Sequence, residues 1–265
     1  MRSLDDQKNI ASLDSSRVYD SVLSFGDQFD QAWKESASLS LSDSYRDVKN
    51  IVLCGMGGSA LGAHVIKTLY EEKFSVPFSI VNGYDIPNEV NDKTLIVLSS
   101  YSGETEEVIA CAEQAMERQT KIVGIATGGR LAALLREFSY PAYIFEPKHN
   151  PSGQPRMGLG YSLGFLLRLF QNLGMISLKD NEIESVSTLA KKLSEQYGLE
   201  ISETKNPAKM LAKKLEKKQV VVVASEFLRG NAHVLANQIN ENAKQFACFF
   251  AIPELNHHLI EGLRF

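Results

Sequence analysis

Two stretches of this chain hold residues that could seat an anion. Gly55-Met56-Gly57-Gly58-Ser59-Ala60 follows a short apolar run. Glycines there let backbone N–H groups come close to a ligand at a helix N-terminus. Ser99-Ser100-Tyr101-Ser102-Gly103-Glu104-Thr105 follows a second apolar run. Its hydroxyls and helix-terminal N–H groups can cradle a phosphate without a metal or a lysine. One of these hydroxyls is expected to cap the helix, and the surplus over what a cap needs favours a ligand. Read literally, Gly55-x-Gly57-x-x-Ala60 also fits a dinucleotide fingerprint, or a plain tight turn with no ligand. The fingerprint needs an acidic residue at the end of the second strand, where Asn82-Gly83 stand and Asp85 comes late, so the nicotinamide reading weakens. Arg156 by itself reads as a surface-loop arginine. Glu241 lies on a helix whose apolar side is Ala236, Ile239 and Ala243, and periodicity turns it away from that side as a solvated carboxylate. His257-His258 is a poor chelate, and no His-x-His or His-Glu-x-x-His occurs, so no metal site is expected.

The elements around these residues follow from the spacing of apolar positions. Ile51–Cys54, Phe78–Val81, Thr94–Leu98, Lys121–Ala126 and Pro141–Phe145 read as short strands ending in glycine, serine or asparagine. Helical patterns lie between them, at 59–71 and across Val108, Ile109, Ala112, Ala115 and Met116. Such alternation predicts an α/β fold with a parallel five-stranded sheet flanked by helices and covered on both faces. In that class both loops converge on one crevice at the carboxyl ends of the strands. Upstream, Val18, Val22, Phe25, Phe29 and Trp33 predict a helix over 17–33, capped by Asp14 or Ser15. Downstream, helices are expected over 160–173, 180–197, from Asn206-Pro207, and over 230–245, with strands at Val220–Val223 and Ala247–Phe250. Two parallel strands cannot bury both faces of a run like Val220–Val223, so this second unit is expected to be incomplete in these residues.

Bulk properties remove other classes. The chain has 265 residues and a formal net charge of −4, with no basic run or stripe, which argues against a nucleic-acid partner. The polar N-terminus has no apolar core for a signal peptide, and no stretch reaches the roughly 18 apolar residues of a membrane span. A cytoplasmic protein without membrane contact is expected. Cys54, Cys111 and Cys248 are scattered through apolar stretches and read as buried, reduced thiols.

Gly-Met-Gly-Gly-Ser at 55–59 and Ser-Tyr-Ser-Gly-Glu-Thr at 100–105 resemble the two phosphosugar loops of the sugar isomerase (SIS) domain. Pro155–Tyr161, Asn237–Lys244 and Pro253–His258 narrow the resemblance to the bifunctional phosphoglucose/phosphomannose isomerases. It implies an N-terminal helix and connection over 1–48, a first SIS domain over 49–175, a linking helix over 176–205 and a partial second SIS domain over 206–265. It implies a hexose phosphate substrate held by Gly57, Gly58, Ser59, Ser100, Ser102 and Thr105. Arg156 would bind substrate and steady an enediolate. Glu241 would move the proton between C2 and C1. His257 would open the sugar ring, supplied in such homodimers by the neighbouring subunit. No cofactor and no metal are implied. The family's chain continues past the Asn256-His257 motif to a lysine and a small residue that this sequence does not place. A non-catalytic phosphosugar binder is the alternative reading.

Overall fold

The computed structural model describes residues 3–262. Five strands, β1 (Asn50–Gly55), β2 (Phe78–Val81), β3 (Thr94–Ser99), β4 (Lys121–Ala126) and β5 (Ala142–Ile144), form one sheet in the order β2-β1-β3-β4-β5. All neighbours are parallel, and Gly55 pairs with Ser99 in register. Both loops therefore leave the sheet at the same level. The chain winds outward from β1 to β2 and then crosses back to β3, so the β1/β3 boundary is the switch point where ligands bind in this topology.

Alternate residues of each strand feed two cores. Ile51, Leu53, Leu95, Val97 and Val123 pack with Ala63 and Ile66 of α4 (Gly58–Leu69) and Phe165, Leu166 and Phe170 of α7 (Leu159–Asn172). Val52, Cys54, Ile96, Leu98 and Ile122 pack with Val108, Ile109 and Ala112 of α5 (Glu106–Glu117) and Leu131 and Leu135 of α6 (Gly129–Glu137). Most of these side chains are wholly withdrawn from water. That explains why the strands read as unbroken apolar runs. Cys54 and Cys111 are buried thiols as expected, whereas Cys248 is only half-buried.

The N-terminal part departs from expectation. In place of one helix over 17–33 the chain forms α1 (Gln7–Leu13), α2 (Val18–Leu23) and α3 (Phe25–Glu35). Asp14 does cap, accepting from the N–H groups of Val18 and Tyr19 at 2.7 and 2.8 Å. The break falls at Ser24, whose hydroxyl donates back to the Asp20 carbonyl at 2.9 Å. The apolar face restarts there, so Val22 is exposed while Phe29 and Trp33 are buried. Trp33 and Phe29 carry α3 against α8 (Asp180–Tyr197) through Ile183.

After α9 (Pro207–Leu215), β6 (Val220–Ser225) and β7 (Ala247–Ile252) make a separate two-stranded parallel sheet. Between them runs α10 (Arg229–Gln238), which continues as a π turn over Ile239–Ala243. The expected α-helix to residue 245 is thus cut short, and Ala243 is exposed instead of extending the apolar face of Ala236 and Ile239. One face of this sheet packs on α10 through Val220, Val222, Ala236 and Phe249. On the other face Val221 and Val223 are 52% and 47% exposed, in register with Cys248 and Phe250. α10 lies along α4, where Gly230 passes so close that a Cβ would stand 2.3 Å from the His64 carbonyl oxygen.

Candidate active site

The two loops interlock at the switch point. Ser59, in the first turn of α4, accepts from the Tyr101 N–H at 2.9 Å, and the Ser99 hydroxyl donates to the Ser59 carbonyl at 2.7 Å. Asn82, where a dinucleotide site would want an acid, donates to the Gly55 carbonyl at 2.6 Å and so braces the glycine loop. Gly57 has a φ of 46°, a conformation that suits glycine, and open space where its Cβ would be. The glycine loop is therefore open on the side where a Gly57 side chain would stand.

The second loop is wired internally. The Ser100 and Thr105 hydroxyls lie 2.8 Å apart, Ser100 Oγ accepts from the Gly103 N–H at 3.0 Å, and Ser102 Oγ accepts from the Glu104 N–H at 3.2 Å. The expected N-cap is not made: Thr105 is the cap residue of α5, but its side chain gives no capping bond. Its hydroxyl is held by Ser100 instead. The first-turn N–H groups of α5 thus stay open to an anion, beside the N-terminus of α4. Neither loop carries a lysine or arginine.

Arg156 arrives from a third segment, the short 3-10 turn Pro155–Met157. That turn lies directly on Gly58, whose Cβ would stand 2.6 Å from the Arg156 nitrogen. Gln28, fully buried on α3, pins the same turn. Its amide donates to the carbonyls of His149 and Met157, both at 2.9 Å, and accepts from the Gly160 N–H at 3.2 Å. Asn150 adds bonds to the Tyr101 hydroxyl at 2.8 Å and the Gln154 carbonyl at 2.9 Å. Burial pushes the Tyr101 phenol up, so it stays protonated.

Glu241 comes from the π turn after α10. Its carboxylate stands 3.6 Å from Arg156 Nη1, with the guanidinium side chain 16% exposed and the carboxylate 41%. Periodicity turned Glu241 away from the apolar side, and that direction leads to Arg156 rather than to open solvent. Gln154, Gln238 and Asn242 also bond Arg156. The sequence reading passed over all three residues and Gln28. Gln238 and Asn242 lie inside the Asn237–Lys244 motif and Gln154 stands two residues before Arg156, whereas nothing in the spacing marks Gln28.

Structure thus brings together Gly57, Gly58, Ser59, Ser100, Ser102, Thr105, Arg156 and Glu241 through shared loops and contacts. It does not bring His257 to them. His257 ends the short turn Glu254–His257 after β7, exposed, and among the described residues none bonds its side chain. No group of three or more His, Cys, Asp or Glu among the described residues is placed to hold a metal ion. No helix of the described residues is long and apolar enough to cross a membrane.

Comparison with known proteins agrees with this geometry. Residues 44–169 match the SIS domain model, and residues 204–264 match the bacterial phospho-glucose isomerase C-terminal SIS domain model. A bifunctional phosphoglucose/phosphomannose isomerase from Caldicellulosiruptor bescii is 34% identical over 92% of this chain and 71% of its own length. A protein of the same name from Aquifex aeolicus is 32% identical over 92% of this chain and 69% of its own. Among solved structures, the C-terminal domain of glucosamine-fructose-6-phosphate aminotransferase from Francisella tularensis superposes with a TM-score of 0.64 at 17% identity, covering 92% of this chain and 72% of that one, a likeness of fold. With its two anion-ready loops at the switch point and relatives matched over most of its length, this chain belongs to the bifunctional phosphoglucose/phosphomannose isomerase family.

Proposed function

We propose that this chain interconverts fructose 6-phosphate with glucose 6-phosphate, and with mannose 6-phosphate, through an enediolate. The observation that carries the reading is the pairing of Glu241 with Arg156 at 3.6 Å on a turn seated on the glycine loop. Gly57, Gly58, Ser59, Ser100, Ser102 and Thr105 hold the phosphate at the adjoining helix N-termini. Glu241 takes the proton from C2 of the aldose and returns it to C1. As the C–H bond breaks, its electron pair moves toward the carbonyl and negative charge grows on oxygen. Arg156 is the fixed cation that meets that charge. His257 trades the proton that opens the sugar ring, a task suited to an imidazole. Carboxylate, guanidinium and imidazole suffice for this chemistry, so the reaction is read as metal-independent.

The family resemblance extends the reading to a cytoplasmic homodimer that serves glycolysis and gluconeogenesis, in which His257 reaches the neighbouring subunit's sugar. Its exposure, and its lack of a bonding partner among the described residues, support that assignment. The test is turnover of fructose 6-phosphate with detection of glucose 6-phosphate. Wild-type chain is expected to turn over, and Glu241→Gln to lose roughly 10²- to 10⁴-fold in kcat while still binding. A wild-type chain that gains melting temperature from fructose 6-phosphate without turning it over would be a phosphosugar binder and not an isomerase.

A further inference from the structure

The Arg156 guanidinium is held by a closed ring of amides. Arg156 Nε donates to Asn242 Oδ1 at 2.6 Å, Asn242 Nδ2 donates to Gln238 Oε1 at 2.6 Å, and Gln238 Nε2 donates to the Arg156 carbonyl at 2.8 Å. Both amide orientations follow from chemistry. A carbonyl can only accept, so the Gln238 atom facing it is the nitrogen; Nε–H can only donate, so the Asn242 atom facing it is the oxygen. The remaining contact, Asn242 to Gln238, then has donor and acceptor the right way round. Outside the ring, Nη1 donates to Gln154 Oε1 at 2.9 Å and faces Glu241. Nη2 has no protein partner among the described residues.

Backbone geometry explains how neighbouring residues share one partner. On an α-helix, successive side chains point about 100° apart. Glu241 and Asn242 nonetheless both reach Arg156, and they lie in the π turn Ile239–Ala243. Such turns are rare and recur at functional sites. A regular helix would offer Arg156 either the carboxylate or the amide.

We propose that Asn242 is a positioning residue for isomerisation: its amide, locked by Gln238, clamps Arg156 through Nε and leaves Nη2 as the donor for the developing oxyanion. This rests on the isomerase reading above. Without the clamp, Arg156 is free to swing onto Glu241, which would tie up both the cation and the base.

Two measurements test it. The Arg156 Nε–H, followed by NMR, should exchange slowly with water, and at least about tenfold faster in Asn242→Ala. Unchanged exchange overturns the clamp, on a chain that turns over or one that does not. In kinetics, Asn242→Ala should lower kcat about 10- to 100-fold with KM shifting less than about threefold. Asn242→Asp keeps the acceptor for Nε but sets an oxygen against Gln238 Oε1, so it should recover only part of the loss. The same Asn242→Ala change should cost nothing further in an Arg156→Ala background, because the two act as one unit. An equal loss in both backgrounds overturns the proposal and marks Asn242 as structural. If Arg156→Ala itself leaves kcat unchanged, the isomerase assignment of Arg156 fails instead.

Discussion

At position 58 a methyl group would sit 2.6 Å from the Arg156 nitrogen and 2.8 Å from the Pro155 carbonyl carbon. Backbone cannot yield as a flexible side chain does, so Gly58→Ala must lift the arginine-bearing turn off the first loop. A displacement of that size is enough to spoil alignment of reacting groups. We predict that Gly58→Ala lowers kcat for fructose 6-phosphate about 10- to 100-fold while circular dichroism stays that of the wild type. Unchanged kcat would show that the turn finds its place without Gly58. At this scale the residue types were legible and their reasons were not. Gly58 read as an anion-loop glycine, yet its demand for space comes from a segment nearly a hundred residues later. Gln28 left no trace, because a buried amide looks like any surface glutamine until the carbonyls it serves are placed around it. Ser100 and Thr105 read as spare hydroxyls, and the bond between them could not be seen in their spacing.

Helices α4 and α10 join the two halves, and their contact contains two imidazoles. His64 and His233 meet edge-on with ring centres 4.3 Å apart, and His233 stacks on Phe249 at 4.7 Å. His64 Nε2 is buried without a hydrogen-bond partner. Burial, with His233 and Lys67 nearby, pulls the His64 pKa from 6.5 down to about 4. A histidine whose folded pKa is depressed takes up its proton more readily when unfolded. Its contribution is therefore intact above pH 6.5 and is lost as pH falls toward 4. The melting temperature should fall across that window more steeply in the wild type than in His64→Gln. Parallel slopes would remove His64 as the cause. Element boundaries tell a similar story of partial legibility. Uniform apolar strands gave themselves away, because burial on both faces leaves no polar alternation to confuse. The break at Ser24 and the π turn at Ile239–Ala243 did not, because in each case the apolar spacing runs on while the partner surface changes.

On the scale of the whole molecule, the loops proposed to hold phosphate and the residues proposed to move protons come from different layers. Both anion loops belong to the five-stranded sheet, cored on each side. The carboxylate and the imidazole belong to the two-stranded unit, whose open face was foreseen from the apolar run Val220–Val223. If His257 serves the neighbouring subunit, each site draws its base from one chain and its imidazole from the other. Mixing Glu241→Gln with His257→Gln should then restore about a quarter of wild-type activity, since half the dimers are mixed and each holds one intact site. No recovery, with a dimer confirmed by sedimentation, would put the histidine in its own chain's site. The bare face of β6 and β7 has a thermodynamic corollary. A unit cored on one side opens at lower cost than one cored on two. Mild heat or denaturant should release the carboxylate while the first sheet still grips a sugar phosphate. In that state the molecule is a receptor that has slipped its clutch, ligand engaged and chemistry disengaged.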